Sequence, residues 1–179
     1  MKSRLNVGSK APDFSFNTPW ENNLSFYKET DNKKAVLFFL RYYGCSVCQM
    51  EMSSIRREIN VLRQGDTKVF VILQSHPSTL TSLLRKKDWP FIIVSDPQGD
   101  IFHLYHVEPG GILKYMHPAG LVAAIKAVSQ GFRHGKFEGK ETQMPAVLTI
   151  SSDKTITFAY YGSNVGDIPS LTEIAGHIG

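Results

Sequence analysis

Cys45 and Cys48 are the only cysteines in a chain of 179 residues. Two thiols separated by Ser46 and Val47 suit dithiol chemistry, in which one thiolate attacks and the other expels the bound partner by closing a disulfide. The stretch before them, Arg41-Tyr42-Tyr43-Gly44, follows an unbroken apolar run, Ala35 to Leu40. That run is too short for a membrane span and reads as a strand buried on both faces. After the pair, Cys48, Met52, Ile55, Ile59 and Leu62 recur at the spacing of one helix face. A strand therefore runs into a turn, and the turn opens a helix with the cysteines at its start. The first N–H groups of a helix lack intrahelical partners and carry partial positive charge, so a sulfur held there is stabilised as thiolate. Cys48 falls on the inward stripe. Cys45 lies about one turn earlier and is expected to be the more accessible, which makes Cys45 the attacking thiol and Cys48 the resolving one. The competing reading is a pair of thiols that pack as small core hydrophobes.

The neighbouring side chains extend this reading. Arg41 is positioned to stabilise a thiolate or a bound peroxide by charge-assisted hydrogen bonding, against the alternative of a solvated side chain. Tyr42 and Tyr43 suit a substrate-contact surface, with one of them assigned to the core. Glu51 is assigned to the first helical turn, where a carboxylate is favourable against the helix dipole.

The elements that must hold this stretch follow from the same patterns. Gly8 to Phe14 is extended, Phe14, Phe16 and Trp20 anchor a short strand or hairpin, and Asn22-Asn23 and Asp31-Asn32 mark turns. Residues 68–73 form a second buried strand. A helix over about 79–88 follows, with Leu80, Leu83 and Leu84 inward and Arg85-Lys86-Lys87 at its C-terminal end, and residues 91–94 form a third strand. This alternation implies a parallel sheet covered by helices. Residues 100–107 read as a short helix carrying His103 and His106. Joined to Cys45 and Cys48 these would complete a Cys2His2 set, but the long separation of the two pairs is unlike a compact zinc site, and no metal is assigned. Ala119 to Gln130 reads as a helix, and Gly131 to Gln143, with Gly131, Gly135 and Gly139, as an irregular loop. Pro145 opens a strand ending at Ile150, Ser152-Asp153-Lys154 turns it into an antiparallel partner ending at Tyr161, and a final helix carries Leu171, Ile174 and Ile178.

Composition narrows the class. Apolar content of 42%, charged content of 20% and a formal charge of +4 describe an ordinary globular chain, and neither nucleic acid nor a membrane is expected as partner. The N-terminal residues show no secretory h-region, so a cytoplasmic location is expected, where a lone CxxC reads as catalytic or redox-sensing. One domain over residues 1–179 is expected, with a helix-and-loop insertion at 109–143.

Strand, CxxC turn and helix, followed by the β-α-β and β-β-α order, resemble the thioredoxin fold. The opening Gly8-x-x-Ala11-Pro12-Asp13-Phe14, Cys48-x-x-Glu51, Asp96-Pro97-x-Gly99 and Tyr105-x-Val107 resemble the peroxiredoxin (AhpC/TSA) group. The resemblance implies an α/β fold with a central mixed sheet, helices on both faces, a peroxiredoxin-like N-terminal extension and an insertion before a cis-proline strand. It implies that Met144-Pro145 is cis and that the Met144 backbone pairs with an incoming disulfide as an added strand. Met144, Pro145, Tyr43 and Arg41 are the substrate-binding residues so implied. The family's peroxidatic cysteine is preceded by threonine or serine three residues before and proline seven before; aligned on Cys48, these positions hold Cys45 and Arg41. The family's later arginine has no counterpart in Gln143-Met144-Pro145-Ala146. The reading is a thiol-based redox enzyme without a cofactor, a thiol–disulfide oxidoreductase first and a thiol peroxidase second, with a structural thiol or zinc module as the third alternative. Its expected partners are a protein or small-molecule disulfide or a peroxide, a thioredoxin- or glutathione-type reductant, and a second copy in a homodimer.

Overall fold

The computed structural model describes residues 4–63, 65–111 and 116–178. Met1-Lys2-Ser3 and residues 112–115 of the expected insertion lie outside the described residues. In chain order the elements are β1 (Ser15–Phe16), β2 (Leu24–Ser25), α1 (Phe26–Thr30), β3 (Ala35–Leu40), α2 (Ser46–Arg57), α3 (Ile59–Leu62), β4 (Lys68–Leu73), α4 (Pro77–Leu83), β5 (Ile92–Ser95), α5 (Asp100–Leu104), α6 (Pro118–Ser129), β6 (Ala146–Ile150), β7 (Ile156–Tyr161) and α7 (Leu171–Ala175). The central sheet runs β5-β4-β3-β6-β7, and β1 and β2 form a separate hairpin. β3, β4 and β5 are parallel, whereas β6 runs antiparallel to β3 and β7 antiparallel to β6. The sheet is therefore mixed, as expected.

β3 is the middle strand, and all of its residues are buried. Its side chains alternate between two cores, as the period of two requires. Val36, Phe38 and Leu40 join the cysteines, α2, α3 and α7 on one face; Leu37 and Phe39 join Phe26 and α5 on the other. His103 and His106 flank residues of that second core, with the sheet between them and the cysteines. Among the described residues no group of three His, Cys, Asp or Glu side chains is placed to hold a metal ion, so the Cys2His2 set does not assemble. No described helix is long and apolar enough to cross a membrane.

Three sequence expectations need correction here. The helix expected over 79–88 ends at Leu83, and Lys86–Asp88 forms a separate 3-10 turn, so the basic run does not close the helix. Arg85 and Leu84 are extended instead, which buries Leu84 and leaves Leu83 exposed. The helix expected over 100–107 stops at Leu104, and His106 takes a positive φ of 56° that a continuing helix does not allow. Among the described residues no peptide bond is cis, so Met144–Pro145 is trans. The chain enters β6 extended because both sides are tied down: the Gln143 side chain donates to Val107 O at 2.7 Å and to Met144 O at 3.3 Å, and Gly162 N donates to Pro145 O at 2.9 Å. The proline ring lies over Gly162, where an added Cβ would sit 2.8 Å from Pro145 Cγ.

Candidate functional site

The site is made where β3 ends and α2 begins. Gln74 N, just past the parallel neighbour β4, donates to Arg41 O at 2.6 Å, and Tyr43 N donates to Ser75 Oγ at 2.9 Å. These bonds fix the turn against the sheet edge. Cys45 N then closes it by donating to Tyr42 O at 3.2 Å. Cys45 is the N-cap of α2, and its Sγ accepts from Cys48 N at 3.4 Å. A sulfur thus takes the place usually held by a Ser or Asp oxygen at a helix start. Downstream, Cys48, Met52, Ile55, Ile59 and Leu62 are all buried, as their spacing requires.

Arg41 and Cys45 are joined directly. Arg41 Nη2 donates to Cys45 Sγ at 2.9 Å, while Nη1 donates to the Glu141 backbone carbonyl and lies 3.5 Å from the Glu141 carboxylate. Arg41 is buried, so its guanidinium is not solvated. Tyr42 is also in the core; its hydroxyl donates to Glu141 Oε1 and lies 3.0 Å from His134 Nε2. Tyr43 is half-buried and packs on the same core.

The electrostatics separate the two thiols. A hydrogen bond from the Cys48 thiol, the Arg41 charge and the Cys48 N–H together bring Cys45 down from an ordinary 9.0 to about 6, against the upward push of burial. Burial first, then the bond it gives to Cys45, holds the Cys48 thiol well above its ordinary value. Arg41 is held protonated: the neighbouring sulfurs outweigh the opposing effect of burial. Burial and the bond to Glu141 raise Tyr42. The surroundings thus favour ionisation of Cys45 and hold Cys48 as the thiol.

Accessibility differs from expectation. Cys45 is only 1% exposed and Cys48 3%, so Cys45 is not the more open of the two. The cause is the segment 131–143, which folds back over the turn. Gly135 N donates to Gly44 O at 2.7 Å, and Gln49 Nε2 reaches Arg133 O at 3.0 Å. Gly44 allows this approach because it has no side chain: a Cβ there would lie 2.0 Å from Lys136 O. Glu51 also differs. It is beyond the first turn of α2, which holds no acidic residue; it faces Lys126 and is raised by burial. Met144 and Pro145 are buried beside this region, and the Met144 carbonyl is already taken by Gln143.

A cavity of about 290 Å³ opens beside the pair. Arg41, Ser46 and Val47 line it from the site, Gly120, Leu121 and Ala124 from α6, and His134 from the covering segment. Glu141 and His134 are site residues that sequence reasoning missed. Their only signal was polar character in a glycine-rich stretch with no periodicity, far along the chain from Cys45.

A mixed sheet with a thiolate at the N-cap of its first long helix and a second thiol one turn on defines a thioredoxin-like redox protein. The AhpC/TSA family model matches residues 7–159, and the chain belongs to that family. It is a thiol-based redox enzyme. No curated protein matches the sequence significantly. Among solved structures, the peroxidoxin BcpB from Mycobacterium tuberculosis is similar at a TM-score of 0.66 and 12% identity, with 98% of this chain and 97% of that one covered. A reduced 2-Cys peroxiredoxin from Plasmodium vivax gives a TM-score of 0.68 at 14% identity over 96% and 79% of the two chains. A thiol peroxidase from Chromobacterium violaceum gives 0.63 at 13% identity over 97% and 86%. At these identities the likeness speaks for the fold.

Proposed function

We propose that the protein reduces a small peroxide at Cys45 and turns over through a Cys45–Cys48 disulfide. The observation that carries this reading is a buried thiolate held 2.9 Å from a buried guanidinium, with a cavity of about 290 Å³ lined by that guanidinium beside it. A protein disulfide needs a broad approach to the attacking sulfur, whereas a peroxide needs only a small cavity. Arg41 supplies from the end of β3 the cation that the family draws from a later strand.

In the first step the Cys45 thiolate forms a bond to one peroxide oxygen as the O–O bond breaks, giving a sulfenic acid and an alkoxide or hydroxide, which takes a proton from water and leaves as alcohol or water. Arg41 donates to the oxygens as charge moves onto them. In the second step the Cys48 sulfur attacks the sulfenic sulfur, forming the disulfide and releasing water. Two electrons and two protons from an external thiol, of thioredoxin or glutathione type, restore the pair by exchange. Thiol–disulfide exchange is thus the recycling half-reaction of this cycle. As the main activity it is supported by Cys45 at the helix N-cap with Cys48 one turn on.

Stopped-flow oxidation of single-cysteine variants by hydrogen peroxide decides between these. In Cys48→Ser, rapid formation of a dimedone-reactive sulfenic acid on Cys45 is expected, and Cys45→Ser should react slowly. Slow peroxide oxidation of Cys48→Ser, combined with rapid mixed-disulfide formation with a small disulfide, would replace peroxide reduction by exchange as the main activity.

A further inference from the structure

Helix α6 packs inward through its small residues and shows its large ones to solvent. Gly120 and Ala127, on one side of it, are buried. Ala123 comes so close to Gly166 that a Cβ added to the glycine would lie 2.5 Å from the Ala123 Cβ. Across the helix, Leu121, Val122, Ile125 and Val128 are 60–64% exposed, and Met116 before it and Phe137 after it are exposed as well. Of the nine large apolar side chains exposed among the described residues, six lie between 116 and 137; the other three, Val7, Leu83 and Leu104, stand far apart in the chain. Single exposed apolar residues need no explanation, whereas a concentration of this kind marks a surface that something covers.

The charges beside this face identify what covers it. Lys126, Arg133 and Lys136 are exposed. Arg133 and Lys136 flank His134, which lines the same cavity as Met116 and Leu121. The two acids of residues 116–143 are both turned inward: Glu138 is buried against Thr79, 3.8 Å from the Lys136 ammonium, and Glu141 meets Tyr42 and Arg41. Of the acids on neighbouring elements, Glu51 faces Lys126, and Asp167 accepts from Tyr160 and Ser163. Large apolar side chains edged by cations are the composition of a helix that lies in an anionic lipid surface. We propose that α6 and residues 131–137 rest on such a surface, with Leu121, Val122, Ile125 and Val128 entering the headgroup boundary. A second copy of the chain fits less well, because a two-fold pair brings the same cations to both sides. A protein partner would meet none of the Tyr or Trp anchors that interfaces favour, since the stripe on α6 is aliphatic. The chain-wide charge of +4 is an average that hides this concentration, which is why composition alone points to no membrane. The contact is peripheral and crosses nothing, and it stands independently of the peroxide reading.

Flotation of the reduced protein with lipid vesicles tests this. Vesicles of phosphatidylcholine mixed with phosphatidylserine should carry the protein upward, phosphatidylcholine alone should carry much less, and added salt should weaken the first. Ile125→Gln and Val122→Gln should each lower the affinity for the mixed vesicles about tenfold, and Arg133→Gln about fivefold. All three side chains are exposed, so these substitutions leave the core intact. No flotation with the mixed vesicles, equal flotation with both kinds, or binding that Ile125→Gln and Val122→Gln leave unchanged would overturn the proposal. So would a lipid-free dimer in sedimentation equilibrium that Ile125→Gln dissociates, which would give the face to a second copy.

Discussion

Replacing Arg41 by Gln tests the electrostatics of the site. Cys45 titrates at about 6 rather than 9.0, a displacement of about three pH units that corresponds to about 4 kcal/mol in favour of the thiolate. The Cys48 thiol makes the largest contribution and the Arg41 charge follows, with burial opposing both. A hydrogen bond to a charged group is worth about 1.5–3 kcal/mol, or about one to two pH units. Gln retains a donor but no charge. Cys45 should then titrate at about 7 to 8 in Arg41→Gln, and the thiolate should change from the major to a minor species just below neutrality. The assay is ultraviolet thiolate absorbance followed through pH in the fully reduced protein. Cys48 does not interfere, because its own titration lies far higher. Cys48→Ala is the internal comparison and should move Cys45 further than Arg41→Gln, since it removes the larger contribution. A Cys45 midpoint in Arg41→Gln within a few tenths of a unit of the parent would refute the assignment of Arg41 as a thiolate partner.

Two further outcomes follow from the same geometry. The folded pKa of Cys45 lies below its unfolded value, so its contribution to stability is complete above about 9 and is lost as pH falls through about 6. Cys48, raised by burial, has the opposite sign and costs stability only above its unfolded value. Urea unfolding of the reduced protein and of Cys45→Ser should therefore diverge by a few kcal/mol between mildly acidic and mildly alkaline pH, and a constant difference would contradict the assigned thiolate. Gly44→Ala should cost about 1–3 kcal/mol, because its Cβ would meet the Lys136 backbone rather than a side chain able to turn aside. Displacing the cover should also speed labelling of Cys45 by a bulky disulfide reagent, and unchanged labelling would mean that segment 131–143 is not what shields the sulfur.

What the sequence disclosed and what it hid divide along a physical line. Periodicity is a local property, and it placed β3, β4, the α2 stripe and the β6–β7 hairpin, because burial on a strand or helix imposes spacing on neighbouring residues. The strand-to-helix junction also placed Cys45 at the helix start, since capping of helix N–H groups is confined to a single turn. The segment 131–143 imposes no spacing. It is held by single contacts to distant residues, such as Gly135 on Gly44 and Glu141 on Arg41 and Tyr42. Burial of Cys45 and the placement of His134 and Glu141 against Tyr42 and Arg41 therefore had no local signature. The trans bond at Pro145 is the ordinary state of an X-Pro bond, and the cis expectation rested on the family resemblance.

A thiolate and a guanidinium out of water are each costly alone, and a buried ionic site persists only when its charges are matched and hydrogen-bonded. Here Arg41 is positive, and Cys45 and Glu141 are negative when ionised. Arg41 faces Cys45 at 2.9 Å and the Glu141 carboxylate at 3.5 Å, so conversion of Cys45 to a neutral sulfenic acid or a disulfide would still leave the guanidinium opposite a carboxylate. The covering segment thus does more than exclude large partners: it brings the carboxylate that keeps Arg41 paired once the thiolate is gone.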